Sequence, residues 1–415
     1  MSDNDYISEM CQENIRTEEI KQRKRKDKGE PIQLSIKKED VGDVLENRDN
    51  LKYYNYEFFW YRNGHYMKAN VEMELKPKIQ SIFDLKAEDL KGKGYIIKNT
   101  VDDKFCEETL KYVQRTAIIK DKDINPWLIT TRNAAVDVKN RTVIPLNPSI
   151  FVPYFIDVLY NENANGTKID KFIEQVVGIE YKDTVYEVIG DCFFPDYPHK
   201  KITYFHSQHP NSGKTTLINM FSHFLGNKNV SSISPLDFDY KFAFTDILNV
   251  LAIISDELAG GFLNKTVIGY LKKLSGGAAF NIYVKHVKNI VKYLSRGKMI
   301  LTSNSFISLT REQIKEETAF IGRWNIITCP KTFSRNPNFL SNIETEEEFS
   351  SLLNNVLKGI NRLSKNQKFS TETTYEENLS YFRKYQVKEK KAKVITTYEK
   401  EEEIDENELG DEVHE

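Results

Sequence analysis

The sequence is short of cysteine, and its cysteines are arranged for neither cross-linking nor metal binding. Only four occur among 415 residues, without a Cys-x-x-Cys pair or a paired Cys/His spacing. This scatter disfavours a disulfide framework and a structural zinc site, and it favours a reducing compartment. The four residues are Cys11, Cys106, Cys192 and Cys329.

Long apolar runs and a strong charge of one sign are also missing. No stretch approaches the roughly 20 apolar residues that a membrane-crossing helix requires, and the polar N-terminal region lacks the apolar core of a signal peptide. We therefore expect a cytoplasmic protein, in the host cytoplasm if its source is viral, with no membrane partner. The formal net charge of -2 argues against a surface that is positive throughout, so any contact with nucleic acid must come from a local basic feature.

The chain is too long for one ordinary core, and its composition changes along its length. Both ends are polar and highly charged, whereas strands alternate with helices between residues 201 and 335. That alternation predicts an α/β fold class with a mostly parallel sheet. The predicted segments are a disordered basic tail (1–46), a small α/β domain (47–165), a helical connector (166–200), the main α/β domain (201–335), a C-terminal helical segment (336–386) and a disordered acidic tail (387–415).

Two β-hairpins are predicted within the small α/β domain. Aromatic and β-branched residues alternate on both sides of Asn63-Gly64, a dipeptide that favours a two-residue turn with positive φ. The segment DVKNRTV, residues 137–143, indicates a second hairpin. A folded domain is therefore expected ahead of the connector.

The segment YFHSQHPNSGKTTLINMF, residues 204–221, has the pattern of a buried strand, a polar turn and an apolar-periodic helix. In a phosphate-binding loop, backbone N–H groups and a helix N-terminus point at an anion, a lysine reaches the terminal phosphates, and a hydroxyl joins the magnesium shell. Gln208 occupies the position of the usual first glycine, but the glycine nearest the phosphates is present. A solvent-exposed turn is the alternative. The residues predicted to hold ATP are Asn211, Ser212, Gly213, Lys214, Thr215 and Thr216.

An acidic pair follows the next long apolar run. In NVLAIISDELAGG, residues 249–261, Asp256 and Glu257 come where a buried parallel strand would end. Parallel sheets bind their ligands at the carboxyl ends of such strands. We predict that Asp256, with Thr215, orients hydrated Mg²⁺ and that Glu257 polarises the attacking water. The alternative is that the two acids cap a helix N-terminus.

Two further polar positions fit the same chemistry. The apolar strand GKMILTSNSF, residues 297–306, ends near Asn304, whose amide is suited to hold a water close to the γ-phosphate. Arg323 precedes another apolar strand, from which its planar guanidinium is predicted to reach a phosphate in a neighbouring subunit. A surface ion pair is the alternative for Arg323.

A basic hairpin lies between the acidic pair and Asn304. In LKKLSGGAAFNIYVKHVKNIVKYL, residues 271–294, a Gly-Gly breaker is followed by an alternating strand, a cationic tip and a returning strand. Lysine contacts nucleic-acid phosphates largely without reading sequence. We predict that Lys285, His286 and Lys288 bind DNA, with an ordinary exposed basic turn as the alternative.

The order of these motifs resembles the superfamily-three helicases of viruses and plasmids, members of the AAA+ ATPases, and especially the C-terminal half of phage and plasmid primase-helicases. The motifs are NSGKTT, ISDE, LKKLSGGAAFNIYVKHVKN and LTSN, in the family's order. The resemblance implies a P-loop AAA+ core, a homohexameric ring, and a Lys285-His286 pair that tracks DNA in a central channel, as in the tumour-antigen-type members. It departs from the family at Gln208, and we expect neither a primase domain before residue 50 nor a winged-helix domain after residue 386 in this sequence.

The leading hypothesis is an ATP- and Mg²⁺-dependent DNA helicase that acts on single-stranded and forked DNA during viral or plasmid replication, beside a separate primase or polymerase. One rival is a DNA-binding scaffold or initiator that uses ATP only to assemble. Another is a DNA-packaging ATPase, which the Lys285-His286 hairpin disfavours. A small-molecule kinase is the weakest alternative, because its acceptor pocket would have to replace the hairpin.

Overall fold

The computed structural model describes residues 32–256, 263–284 and 290–386. The chain divides into two compact units. The first contains the described residues up to Asn125 together with Leu146–Tyr154, and the second contains Pro126–Pro145 and the chain from Phe155 onward. Glu257, Lys285, His286 and Lys288 lie outside the described residues, as do residues 1–31 and 387–415 of the predicted tails.

The first unit combines a three-stranded antiparallel sheet with helices. Its central hairpin turns at Asn63 and Gly64, whose φ angles are 53° and 91°, as a two-residue turn of the predicted kind requires. The hairpin prediction is confirmed. The elements are β1 (Gln33–Leu34), α1 (Lys38–Asp43), β2 (Leu51–Tyr54), β3 (Glu57–Arg62), β4 (His65–Lys68), α2 (Lys76–Gly92), β5 (Ile96–Ile97) and α3 (Asp103–Thr116).

The core of this unit starts earlier in the chain than the sequence suggested. Residues 32–46 were expected to be part of a disordered tail, yet they form β1 and α1 and bury apolar side chains against α2 and α3. Val41, Val44 and Leu45 have the three- and four-residue spacing of a helix stripe, which the surrounding charged residues obscured. The predicted tail therefore extends too far into the folded chain.

The second unit is built around a five-stranded parallel sheet. The pairing of β7 with β8 confirms the predicted second hairpin, but Pro126–Pro145 belongs to this unit and not to the small α/β domain in which the hairpin was expected. The strands are β6 (Leu128–Thr130), β7 (Ala135–Asp137), β8 (Thr142–Ile144), β9 (Ile202–His206), β10 (Val230–Ser231), β11 (Ala252–Ser255), β12 (Phe280–Ile282), β13 (Val291–Tyr293), β14 (Lys298–Ser303) and β15 (Trp324–Thr328). The helices are α4 (Lys168–Val177), α5 (Lys182–Asp191), α6 (Lys214–Leu225), α7 (Lys265–Ser275), α8 (Arg311–Glu316), α9 (Thr318–Ile321), α10 (Phe339–Ile343), α11 (Glu346–Asn366) and α12 (Tyr375–Lys384).

The order of the strands in the parallel sheet is β10-β11-β14-β9-β15. The strand that precedes the predicted phosphate loop, β9, lies between two strands that follow much later in the chain. The register pairs His206 with Ser303 on one side and with Thr328 on the other, so three strand ends meet at one edge. Ligands of parallel sheets bind outside the carboxyl ends of the strands, where the strand order reverses. The fold thus brings the polar segments after β9, β11 and β14 together.

The basic hairpin of the sequence is present as two short antiparallel strands. β12 and β13 pair with Phe280 opposite Tyr293 and Ile282 opposite Val291, while the tip falls among residues that are not described. Within the described ranges, no helix has both the length and the apolar character needed to cross a bilayer.

Helix α4 receives an unusual cap from a distant glutamate. The carboxylate of the buried Glu348, on α11, accepts hydrogen bonds from the backbone N–H groups of Thr167, Lys168 and Ile169 at 2.9–3.1 Å. The N-cap residue itself, Thr167, makes no side-chain cap. A carboxylate at a helix N-terminus satisfies unpaired donors and interacts favourably with the helix dipole. Glu348 therefore fastens the connector to the C-terminal helical segment.

Replacement of this carboxylate should destabilise the second unit. We expect Glu348→Ala to lower the free energy of unfolding by about 2 kcal/mol, because several charge-assisted hydrogen bonds are lost, and Glu348→Gln to lower it by less. Urea unfolding followed by circular dichroism measures both. Glu88→Ala, which removes an exposed helical glutamate of the first unit, is the control. Equal midpoints for Glu348→Ala and Glu88→Ala would contradict the capping role.

Candidate functional site

The turn between β9 and α6, the predicted phosphate loop, is tight and requires glycine at one position. Gly213, the N-cap of α6, has a φ of 84°, and a Cβ at this position would lie 2.9 Å from Val176 Cγ2 and 3.3 Å from Phe333 Cε2. Only glycine meets both the backbone and the packing requirement. Because Gly213 provides no side-chain cap, the first turn of α6 presents its N–H groups at the sheet edge.

The loop lysine lies at the centre of the candidate site. Lys214 is only 6% exposed, and its Nζ donates to Ser212 Oγ at 2.7 Å and to Asn304 Oδ1 at 2.8 Å. Asn304 follows β14, the neighbour of β9, so the adjacency of these strands creates the contact. Thr215 is exposed and Thr216 half-buried on the first turn of α6, and Asn211 is exposed in the loop.

The first residue of the acidic pair joins the same edge. Asp256 directly follows β11, and its carboxylate accepts a hydrogen bond from Thr302 Oγ1 on the neighbouring strand β14. Thr302 is fully buried, whereas Asp256 is exposed. Asp256 and Asn304 therefore follow the neighbouring strands β11 and β14, and Lys214 begins the helix that follows the next strand, β9. Glu257 is outside the described residues.

The donor set at this edge suits a magnesium ion bound together with phosphates. Mg²⁺ is usually held by one or two carboxylates, substrate phosphates and water rather than by an all-protein cage. Asp256 supplies a carboxylate and Thr215 a hydroxyl. No group of three or more His, Cys, Asp or Glu side chains able to hold a metal occurs in the described part of the chain.

Arg323 lies at the amino end of the parallel strands, whereas Lys214 lies beyond their carboxyl end. It directly precedes Trp324, which pairs with Ile202 at the amino end of β9. Its guanidinium donates to the carbonyl of Lys272 and, at 3.0 Å, to Ser275 Oγ, and burial lowers its pKa from the ordinary value. Arg323 therefore holds the last turn of α7 within its own chain, and the structure does not bring it to the phosphate loop of that chain.

The lysines at the base of the basic hairpin have local partners. Lys272 Nζ donates to Glu317 at 2.7 Å, and Lys273 Nζ lies 5.3 Å from the centroid of the Tyr270 ring. The predicted DNA-binding residues Lys285, His286 and Lys288 all belong to the undescribed tip. Their role stays a prediction.

Sequence reasoning missed an aromatic cluster beneath the loop. The His206 ring, at the end of β9, lies 6.0 Å from the Tyr385 ring and 5.9 Å from the Phe306 ring, between centroids. Gln208, whose place the sequence pattern assigns to glycine, donates from Nε2 to the Tyr385 hydroxyl at 3.1 Å. Tyr381, on α12, stacks on Phe306. The segment that ends α12 therefore contacts both the entry of the phosphate loop and the segment after β14.

A second missed element is the segment that follows β15, residues 329–335, which we call the strap. Cys329 N donates to His206 O at 2.8 Å, and Phe333 N donates to Asn211 O at 2.8 Å. Burial raises the pKa of the Cys329 thiol to about 12, and the Lys214 ammonium acts in the opposite direction. Nothing in the periodicity of this irregular segment indicated that it runs along the loop.

Burial lowers the pKa of His206 to about 4 from an ordinary 6.5, and the ammonium groups of Lys214 and Lys384 act in the same direction. As the pH falls below 6.5, the unfolded chain takes up the proton first, so stability is lost between pH 6.5 and 4. We expect this residue to account for up to about 3 kcal/mol of the acid destabilisation.

The variant His206→Phe, which keeps an aromatic ring in the cluster, should make the unfolding free energy less dependent on pH in this range. Urea unfolding at about pH 7 and about pH 5 gives the difference for each protein. The control is His223→Phe, since His223 is exposed and pairs with Glu344. A pH dependence in His206→Phe as steep as in the wild type would disprove the assignment.

Two family models match parts of the chain. Residues 44–178 match the family described as D5 N terminal like, and residues 205–319 match a family of unknown function, DUF5906. The second match begins in β9 and ends in α9, so it includes the phosphate loop, Asp256, the hairpin and Asn304. No curated protein matches the sequence.

Solved structures similar to this chain include apo structures of the C-terminal region of NrS-1. One A-form structure has 14% sequence identity and a TM-score of 0.40, over 88% of this chain and 75% of that chain. A second A-form structure has 13% identity and a TM-score of 0.42, over 84% of this chain and 75% of that chain. A third has 14% identity and a TM-score of 0.40, over 86% and 74%.

Proposed function

We propose that this protein is an ATP-dependent DNA helicase with an AAA+ core that moves single-stranded DNA through a ring channel during phage, viral or plasmid replication. The observation that carries the proposal is that Asp256 and Asn304 follow the neighbouring strands β11 and β14, while Lys214 begins the helix after the next strand, β9, with its Nζ only 2.8 Å from Asn304. This arrangement supports a magnesium–triphosphate site at the carboxyl end of the sheet. The D5 N terminal like match fits a phage or plasmid primase-helicase family.

Each residue has a distinct task in the proposed hydrolysis. The N–H groups of the loop and Lys214 would bind the phosphates, and Asp256 and Thr215 would hold Mg²⁺, which would neutralise phosphate charge. Asn304 and Glu257 position and polarise the attacking water. The Lys214 ammonium, which donates to Ser212 Oγ and Asn304 Oδ1, would exchange these contacts for phosphate oxygens and so free Asn304 Oδ1 for the water.

A ring supplies the second half of the site. Because Arg323 is at the amino end of the sheet and Lys214 at the carboxyl end, one chain would complete the nucleotide site of its neighbour rather than its own. An arginine delivered from a neighbouring subunit stabilises the charge that develops in phosphoryl transfer. This geometry supports a homo-oligomer with shared sites, for which the family resemblance implies six subunits.

The basic hairpin would convert this ring chemistry into movement of DNA. Lys285, His286 and Lys288 are proposed to contact the phosphate backbone from the hairpin tip, through charge rather than through base recognition. A separate primase or polymerase would act on the strands that emerge from a fork. The second candidate, a scaffold or initiator that uses ATP only to assemble, is favoured by one observation: Gln208 ties the loop to Tyr385 where the usual pattern has a flexible glycine.

The helicase and scaffold hypotheses differ in how ATP turnover and DNA unwinding depend on single residues. We expect Lys214→Ala to reduce DNA-stimulated ATPase activity by about 100-fold or more and to abolish unwinding, because transition-state charge loses its nearest cation. Lys285→Ala should keep most of the ATPase activity and lose unwinding, because only the DNA contact is removed. Phosphate release and fork-unwinding assays on the same preparations measure both.

Lys265→Ala is the control for Lys285→Ala, since Lys265 is an exposed lysine that forms an ion pair with Glu316. Wild-type unwinding by Lys285→Ala would exclude the hairpin from the mechanism. Wild-type protein that assembles with ATP but hydrolyses none in the presence of DNA would favour the scaffold instead.

A shared site also predicts complementation between two inactive variants. Arg323→Ala and Lys214→Ala should each lack ATPase activity, but mixed rings contain seams with an intact Lys214 from one variant and an intact Arg323 from the other. We expect the mixture to regain about a tenth or more of wild-type ATPase activity, since some seams are complete. Loss of the α7 contacts of Arg323 cannot by itself produce this recovery.

The matched control for this mixture combines Arg323→Ala with the double variant that lacks both side chains, in which no seam is complete. Activity should stay at the level of the single variants there. If the first mixture gains nothing over the control mixture, Arg323 does not act on a neighbouring subunit.

A further inference from the structure

The strap lies along one side of the phosphate loop, and none of the predicted motifs includes it. Its two backbone hydrogen bonds, from Cys329 to His206 and from Phe333 to Asn211, follow the loop from its entry toward α6. The Phe333 ring also lies against Gly213, where a Cβ would be 3.3 Å from Cε2. The strap is therefore fixed along the loop by contacts at its start and near its end.

The continuation of the chain keeps the strap on this side of the loop. Phe339, at the start of α10, packs on Phe172 of α4 with ring centroids 4.9 Å apart. Val176, one helical turn further along α4, is the other neighbour of Gly213. Residues 334–338 thus connect Phe333, which lies beside Gly213, to Phe339, which packs on α4 one helical turn from Val176.

One arginine occurs in this short span. Arg335 is exposed and is two residues beyond Phe333, a distance of at most about 7 Å along an extended chain. It forms no hydrogen bond or ion pair with any residue in the ranges 32–256, 263–284 and 290–386. Its guanidinium therefore has no partner among these residues, and its backbone lies within two residues of the Phe333 contact with Gly213.

The charge balance of the proposed site calls for such a group. A triphosphate carries several negative charges. Within one chain, Lys214 is the cation that the loop itself supplies, and Arg323 lies at the other end of the sheet. A guanidinium binds two phosphate oxygens at once in a planar geometry, which a lysine does not. An arginine within the same chain would bind nucleotide before any neighbouring subunit arrives.

We propose that Arg335 is a nucleotide-binding residue that contacts the outer phosphates of a nucleoside triphosphate held in the loop of its own chain. This inference rests on the proposed function, because it takes the loop to be a triphosphate site. Arg335 and Arg323 then have complementary positions: Arg335 serves the site of its own subunit, and Arg323 serves the site of the next.

The test is equilibrium binding of ATP, ADP and AMP to the full chain by calorimetry, in the wild type, Arg335→Ala and Arg335→Lys. We expect Arg335→Ala to weaken ATP binding about tenfold or more, to weaken ADP binding less and to leave AMP binding unchanged, since charge-assisted hydrogen bonds to the outer phosphates are lost. Arg335→Lys should recover part of the affinity for ATP. Arg311→Ala, which removes another exposed arginine of the second unit, should bind ATP as the wild type does.

The outcomes separate this inference from the function on which it rests. If Lys214→Ala loses ATP affinity and Arg335→Ala does not, the loop is a nucleotide site and the assignment of Arg335 is wrong. The same conclusion follows if Arg335→Ala weakens ATP and AMP binding equally, or if Lys331→Ala, from the same strap, produces the larger loss for ATP. Wild-type protein that binds none of the three nucleotides would overturn the inference and the proposed function together.

Discussion

The candidate site depends on how the buried ammonium of Lys214 is satisfied. An ammonium group removed from water is costly unless polar partners replace its hydration. Here the partners are Ser212, in the loop, and Asn304, at the end of the neighbouring strand. The same need can be met by phosphate oxygens. These contacts therefore keep the lysine and the amide at the positions in which the proposed phosphoryl transfer would use them.

The loop is held from several sides by segments far apart in the sequence. Val176 of α4 and Phe333 of the strap close on Gly213, and Tyr385 receives a hydrogen bond from Gln208. Glu348 in turn fixes the start of α4 to α11. Movement of the loop must be accommodated by the connector, the strap and the C-terminal helices together. Their contacts explain how the loop keeps a defined shape although its first glycine is replaced.

Local sequence patterns predicted much of the sheet and little of what surrounds the loop. The apolar runs before Lys214, Asp256 and Asn304 predicted buried strands, and each residue does follow a strand. That Lys214 and Asn304 meet depends on strand order, which periodicity does not encode. The hydrogen bond between Gln208 and Tyr385 joins residues 177 positions apart, and local sequence patterns do not predict such a pair. Residues 32–46 were misjudged because their charged residues hid a short helical stripe.

The position of Arg323 links the two functions that the proposal assigns to the ring. Its guanidinium holds the Lys272 carbonyl and the Ser275 hydroxyl, on the last turn of α7, and the chain continues from that turn into the hairpin strand β12. An arginine that turned toward a neighbour's phosphates would have to give up these contacts. The base of the hairpin would then lose its support at the moment when the neighbouring site is completed. In the proposed ring, nucleotide binding at a seam and support of the hairpin base therefore compete for one side chain, so that binding at the seam would release the DNA-contacting hairpin.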